Sequence, residues 1–283
     1  MFRWAGNKQS LLSDLHKHFP DDFQVYHEPY VGAGAVFFNL PTIPAKVLIN
    51  DINDCLFAFY DTLFNGNKFD VWHMHDTAMQ KIHVTFQSSD YQSVYYSNRT
   101  HFNNLKETLS PIEKAAYFLY FNSLGHNGIW RENKKGHLNT PVQHTRIFNA
   151  SIPTISQLME KRERFLNSHC QLLISNKNWL KEDLADNLSG HFFYIDSPYD
   201  KEENSNSLLQ YNGVSFKEEE QIIQADKVNT IHKNNGKFVL SNSDTDLIRS
   251  LYSAYNIESV GVTRKIANNR LGNYKARELI IFN

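Results

Sequence analysis

F-F-Y-I-D-S-P-Y, residues 192–199, runs four apolar or aromatic residues straight into an acid, a hydroxyl, a proline and a second ring. Three other runs share this form: F-Q-V-Y (23–26) before H-E-P-Y-V-G-A-G, K-V-L-I (46–49) before N-D-I-N, and K-F-V-L (237–240) before S-N-S-D. Short continuous apolar runs, bounded by turn residues and separated by helix-length segments, read as parallel strands covered on both faces. Helical segments are expected at 8–19, 55–64, 218–233 and 244–255. The fold class is therefore α/β, a Rossmann-like parallel sheet. In such sheets a ligand sits outside the carboxyl ends of the strands, and the polar residues of this chain stand at those ends.

From about 55 to 175 the alternation of strand and helix lapses into a segment rich in Tyr, His, Asn and Phe. It is too long for a loop inside a compact domain, so it reads as an inserted, mainly helical unit over 55–175. The catalytic domain would then be 1–54 with 176–283. P-I-E-K-A-A-Y-F-L-Y-F-N-S-L (111–124) has the form of one of the inserted helices. The N-K-K-G that follows (133–136) predicts a tight turn between two short extended arms, a basic and aromatic β-hairpin.

Composition bounds the function. The chain has 283 residues, 41% hydrophobic and 21% charged, an ordinary globular usage. Its opening lacks the apolar run of a secretory signal, and no window approaches the roughly 18 apolar residues of a membrane span, so a cytoplasmic protein is expected. Cys55 and Cys170 lie far apart, which gives no disulfide framework and no zinc knuckle. The 13 histidines include no H-E-x-x-H, so no metal is expected.

The net charge of -1 hides a strong polarity. Residues 126–170 hold seven basic residues against three acids, and 261–277 hold five and no acid. Residues 182–226 hold eleven acids against two lysines. Two basic segments with aromatic and amide residues interleaved fit a phosphate backbone, though a solvated face would look the same.

The turn after the first strand carries Gly32 and Gly34, where the backbone can approach a ligand closely. A dinucleotide fingerprint would need a third glycine at 37, where Phe37 stands, so a pyrophosphate is disfavoured. Asp51 closes the next strand and fits a ribose diol better than it fits a helix cap, a role that suits Asn53. A nucleoside without pyrophosphate over a parallel sheet points to S-adenosylmethionine. Methyl transfer from a sulfonium needs an aligned lone pair and no metal. An exocyclic amine is a poor nucleophile, because its lone pair is delocalised into the base. The Asp196 carboxylate and the Ser197 main-chain carbonyl could each accept one of its N–H groups, Tyr199 could stack on the base, and Pro198 would stiffen the turn. Asp196 as a simple loop cap is the competing reading.

W-A-G-N-K (4–8), E-P-Y-V-G-A-G-A-V-F-F (28–38), N-D-I-N (50–53), N-G-I-W-R-E-N (127–133), D-S-P-Y (196–199) and L-S-N (240–242) stand in one order along the chain. Together they resemble the Dam-type, D12 class DNA adenine-N6 methyltransferases of the alpha group. The opening and the E-L-I-I-F-N ending are similar to bacteriophage Dam enzymes. The resemblance implies methyl transfer from S-adenosylmethionine to the N6 amine of a flipped-out adenine in double-stranded DNA, at a short site such as GATC, in a bacterial or phage-infected cell. It implies cofactor contacts at Trp4, Gly6, Lys8, Tyr30, Gly32, Gly34 and Asp51, with Lys8 on the cofactor carboxylate. Asn178 or Trp179 falls near an adenine pocket. DNA contacts fall at Asn127, Trp130, Arg131 and Asn133 in the hairpin, Arg131 reading guanine or holding a phosphate. Arg264, Arg270 and Arg277 would sit in a basic C-terminal loop on the phosphate backbone.

The sequence departs from the family's D-P-P-Y at Ser197, and from its phenylalanine-rich hairpin tip at His126-Asn127-Gly128. Ser197 leaves open a catalytically weak descendant that only binds DNA. Methylation of a protein amide or of RNA is the third reading, one the basic insertion does not favour.

Overall fold

Seven strands form one sheet in the order β3-β2-β1-β4-β5-β7-β6. They are β1 (Val25–Glu28), β2 (Lys46–Asn50), β3 (Gln171–Ser175), β4 (His191–Ile195), β5 (Lys237–Ser243), β6 (Asn256–Lys265) and β7 (Asn273–Phe282). This is a computed structural model that describes residues 2–4, 6–143, 152–200, 216–265 and 273–283, with only the backbone at 262–265 and 273–276. The first five strands pair in parallel, and β7 runs antiparallel to both β5 and β6. The order reverses between β1 and β4, so the crevice of a doubly wound sheet opens above those two strands.

All four strands expected from the apolar runs are present. β3 lies within the range expected for the insertion and pairs along its whole length with β2. Its burial is shallow, as suits an edge strand. The segment expected as a basic C-terminal loop is instead largely a hairpin: Arg264 stands in β6 opposite Tyr274, and Arg277 in β7 opposite Gly261. Arg270 lies outside the described residues.

Successive strand residues face opposite layers, as the pleat requires. Tyr26, Val47, Phe192, Tyr194 and Val239 join one core, and Phe193, Ile195, Phe238, Leu240 and Ile281 the other. The second core is closed by α7 (Glu218–Lys233) and α8 (Asp246–Leu251). The first continues through α2 (Asp54–Phe64) into α5 (Pro111–Leu124), with Phe2 set edge-on between Phe59 and Phe118 at 5.3 and 5.0 Å. Around α5 lie α3 (Lys68–Gln87), α4 (Tyr91–Leu105) and α6 (Ile155–Leu166). Three helices begin with reciprocal capping boxes, Asn67 with Asp70, Ser110 with Glu113 and Thr154 with Gln157, which satisfy the orphan N–H groups of a first turn.

Two expected helices are cut short. Of 8–19 only α1 (Leu12–His16) is α-helical, with Pro20 just beyond, and of 244–255 only α8. The glycine turn runs into a single tight turn over Phe37–Asn39, because Leu40 precedes Pro41 and takes extended dihedrals. The glycine turn therefore opens onto no helix long enough to favour a phosphate.

The expected hairpin is present. Glu132 bridges Leu138 in antiparallel fashion, and Asn133 to Gly136 close the turn with Gly136 at φ +74°. It is tied to the rest by ions: Lys106 Nζ lies 3.0 Å from Glu132 and 3.4 Å from Asp54, and Lys114 lies 3.6 Å from the same Asp54.

Candidate active site at the strand ends

Three loops meet above the sheet. The first leaves β1 at Pro29, the second leaves β2 at Asp51, and the third leaves β4 at Asp196. Asn50 ties the first to the segment after β3, its amide donating to the Pro29 and Lys177 carbonyls at 2.9 and 3.0 Å.

Asp51 is held by main chain. One carboxylate oxygen accepts the Gly32 N–H at 3.1 Å and the other the Asn53 N–H at 3.0 Å. Burial raises its carboxyl to about 6 despite these bonds. The glycine turn is packed from behind. Tyr60 donates to the Gly32 carbonyl at 2.8 Å. Gly32 has φ +48°, and a Cβ there would sit 2.9 Å from the Trp4 indole, so only glycine fits. Glu28 lies beneath, fully buried, accepting the Tyr26 hydroxyl at 2.6 Å. Asn53 caps α2, its side chain accepting from Cys55 and Leu56.

Asp196 is held by side chains. Lys8 Nζ stands 2.9 Å from its Oδ1, donates to the Gly6 carbonyl at 2.6 Å, and lies 4.8 Å above the Tyr199 ring. Burial raises the Asp196 carboxyl to about 6, while Lys8 pulls the other way. The Tyr199 hydroxyl donates to Glu278 Oε2 at 2.7 Å. Ser197 is buried, its hydroxyl accepting the Gln224 amide at 2.9 Å, and the Pro198 carbonyl accepts the Gln221 amide at 3.1 Å. Asn242 accepts the Asp200 N–H at 3.1 Å and donates to Gln221 at 3.2 Å.

A third group gathers around Tyr30, next to the glycine turn. Tyr30 packs edge-on to Trp179 at 5.8 Å and to Phe216 at 6.2 Å. Its hydroxyl is buried with no hydrogen-bond partner among the described residues. Ile52, directly after Asp51, is half exposed. Asn178 caps the turn at Trp179–Lys181 and is spent on that task.

The hairpin residues divide by burial. Trp130 is buried against Phe118 and Phe102, and its indole N–H donates to Glu132 at 3.0 Å, so it anchors the arm. Asn133 shapes the turn, accepting from Lys135 and His137. Asn127 has φ +56°, and its N–H donates to Gln143. Arg131 is exposed, its guanidinium braced by two bonds to Asn139 at 2.7 and 3.2 Å. Arg277 is exposed on β7.

Gln221, Gln224, Glu278 and Tyr60 were not expected at the site. Nothing local marks a buried glutamine or glutamate; only the partner from another element does. Among the described residues no helix is long and apolar enough to cross a membrane, and no three His, Cys, Asp or Glu side chains are placed to hold a metal.

The profile of the D12 class N6 adenine-specific DNA methyltransferases matches residues 4–266, nearly the whole chain. The chain belongs to that family. Similar proteins match over most of their length. The DNA adenine methylase of Haemophilus influenzae is 30% identical, over 98% of this chain and 91% of its own. The Retron Ec67 DNA adenine methylase of Escherichia coli is 29% identical over 99% and 90%. The Type II methyltransferase M.MjaIII of Methanocaldococcus jannaschii is 28% identical over 93% and 91%. The sheet is accordingly a Rossmann-like methyltransferase fold, and the D12 membership makes the protein an adenine-specific DNA methyltransferase acting on adenine N6.

Proposed function

We propose that the protein transfers a methyl group from S-adenosylmethionine to the N6 amine of an adenine flipped out of a short duplex site, with GATC the candidate sequence. The carrying observation is the convergence of Asp196, Tyr199 and Lys8 at the end of β4, beside the Gly32–Asp51 turn at the switch in strand order.

The residues present fit the cofactor. Tyr30 offers a buried hydroxyl without a partner, Trp179 and Ile52 offer apolar walls, and Asp51 offers a carboxylate beside two glycines. Tyr30, Gly32, Gly34 and Asp51 would hold its nucleoside end, and Trp4, Gly6 and Lys8 its charged end. When bound, it supplies an electrophilic methyl on a sulfonium. The protein's share is to make the amine nucleophilic. The Asp196 carboxylate accepts one N–H, and the Ser197 carbonyl accepts the other, since Gln221 already engages the Pro198 carbonyl. Two acceptors on one amine favour the tetrahedral geometry that frees its lone pair. Tyr199 stacks on the base, its ring steadied through Glu278.

Residues 55–175, less the strand β3, supply the target-reading unit in this proposal. Arg131, braced by Asn139, presents its free edge to a guanine. Arg264, Arg270 and Arg277 contact phosphates.

Labelled S-adenosylmethionine and duplexes with and without GATC test the reading. N6-methyladenine in GATC duplexes alone is the expected result. Labelling of every duplex would discard the site, and labelling of none the activity.

A further inference from the structure

Helix α7 buries two glutamines on the same face as Ala225, Val228 and Ile231, and leaves two isoleucines outside. Ile222 and Ile223 are 42% and 47% exposed, whereas Gln221 and Gln224 are fully buried. An amphipathic helix ordinarily does the reverse, and a buried amide costs stability unless it is bonded. Both amide nitrogens donate to one loop. Gln224 Nε2 donates to Ser197 Oγ at 2.9 Å, and Gln221 Nε2 to the Pro198 carbonyl at 3.1 Å. Gln221 is in turn held by Asn242, which also accepts the Asp200 N–H. Ser197 is 2% exposed, so its hydroxyl reaches no bulk water.

We infer that Gln224 is a positioning residue for the methyl-transfer loop, and that the Ser197–Gln224 hydrogen bond replaces the stiffness a proline at 197 would give. A proline there fixes φ covalently. A serine leaves φ free, and the chain instead clamps the side chain from outside, through a helix packed on the same core as β4. The acceptors for the amine flank this bond, the Asp196 carboxylate on one side and the Ser197 carbonyl on the same residue. Losing the clamp loosens both without touching either ligand. The inference rests on the proposed methyl transfer and adds the device that keeps a serine-bearing loop in register.

The test is a set of variants in the full chain: Gln224→Leu, Ser197→Ala, their double, and Gln224→Leu with Ser197→Pro. Gln224→Leu and Ser197→Ala should each lower kcat about 10-fold or more, as small misplacements of reacting groups do, with KM for DNA and S-adenosylmethionine within about 2-fold. The double should be no worse than either single, because both remove one bond. Ser197→Pro added to Gln224→Leu should raise kcat back toward the wild-type value. A purely structural role would show additive losses and no recovery from proline. Should Gln224→Leu fail to fold, Ser197→Ala with unaltered kcat would overturn the inference by itself. Amide hydrogen exchange at residues 196–200, measured without substrate, separates the two claims. Faster exchange in Ser197→Ala supports the clamp even if the wild type transferred no methyl, which would sink the activity alone; unchanged exchange would sink the clamp.

Discussion

The ends of β2 and β4 each carry a largely buried aspartate raised to about 6, but the two are restrained by different means. Asp51 is fixed by two backbone N–H groups, which cannot leave without moving the turn. Asp196 is paired with a buried lysine side chain that is also bonded to the Gly6 carbonyl. A carboxylate bonded by main chain is part of the frame, suited to receiving a ligand whose shape is constant. One bonded by a side chain can change partners without moving the backbone, as the proposed acceptor for an incoming amine must. Similar acidity thus rests on unlike restraints.

The comparison breaks first at Asp196. Asp196→Ala should reduce methyl transfer by at least about 10³-fold, the scale of losing a directed electrostatic contact, with duplex affinity by fluorescence anisotropy nearly unaltered. Retained turnover would remove Asp196 from the chemistry. Asp196→Asn sharpens the point through pH. The folded carboxyl titrates near 6 and the unfolded one near its ordinary 3.8, so between those values the native state binds more protons. Its contribution to stability is therefore best below about pH 4 and declines as pH rises toward 6. The stability of Asp196→Asn relative to wild type should accordingly be greater at pH 7.5 than at pH 4.5, read by urea unfolding at both. Activity of the wild type should run the opposite way, falling as pH drops through about 6 and the acceptor is protonated.

Lys8→Met comes next in size. It leaves Asp196 buried without its cation, a loss of about 3 kcal/mol by the usual cost of breaking a buried pair, and should move the acid limb of kcat to higher pH. An unmoved limb would mean that the pair does not set the acidity of Asp196. Asp51→Ala should orphan the Gly32 and Asn53 N–H groups at about 1–3 kcal/mol each. It should raise KM for S-adenosylmethionine far more than it lowers kcat, and a loss confined to kcat would merge the two aspartates into one role. Arg131→Ala is the smallest, about 1–3 kcal/mol of discrimination between GATC and single-base variants. Weakening spread evenly over all duplexes would mark a phosphate contact.

Much of the sheet was legible because an apolar run ending in polar residues states both the strand and its functional end. β3 escaped because an edge strand buries little, and Q-L-L-I-S lies at the end of a long helical insertion. β6 and β7 escaped because their charges, read in isolation, look like a loop, whereas pairing lets one edge stay wet. The glycines and both aspartates stand at strand ends, where the end of each apolar run placed them. Gln221, Gln224 and Glu278 were not legible, since a polar side chain is drawn inside by a partner distant in sequence. Trp130 was read as a DNA contact from its motif, while its ring is spent in the core.

The lysine at 106 joins Glu132 of the arm to Asp54, and Asp54 follows Asn53, whose N–H rests on Asp51. The arm and the Gly32–Asp51 turn are thereby links of one chain of contacts. A strain imposed on Arg131 by a wrong base pair has a contiguous route through Glu132, Lys106 and Asp54 to Asp51, so in the proposed enzyme fidelity need not be settled by grip alone.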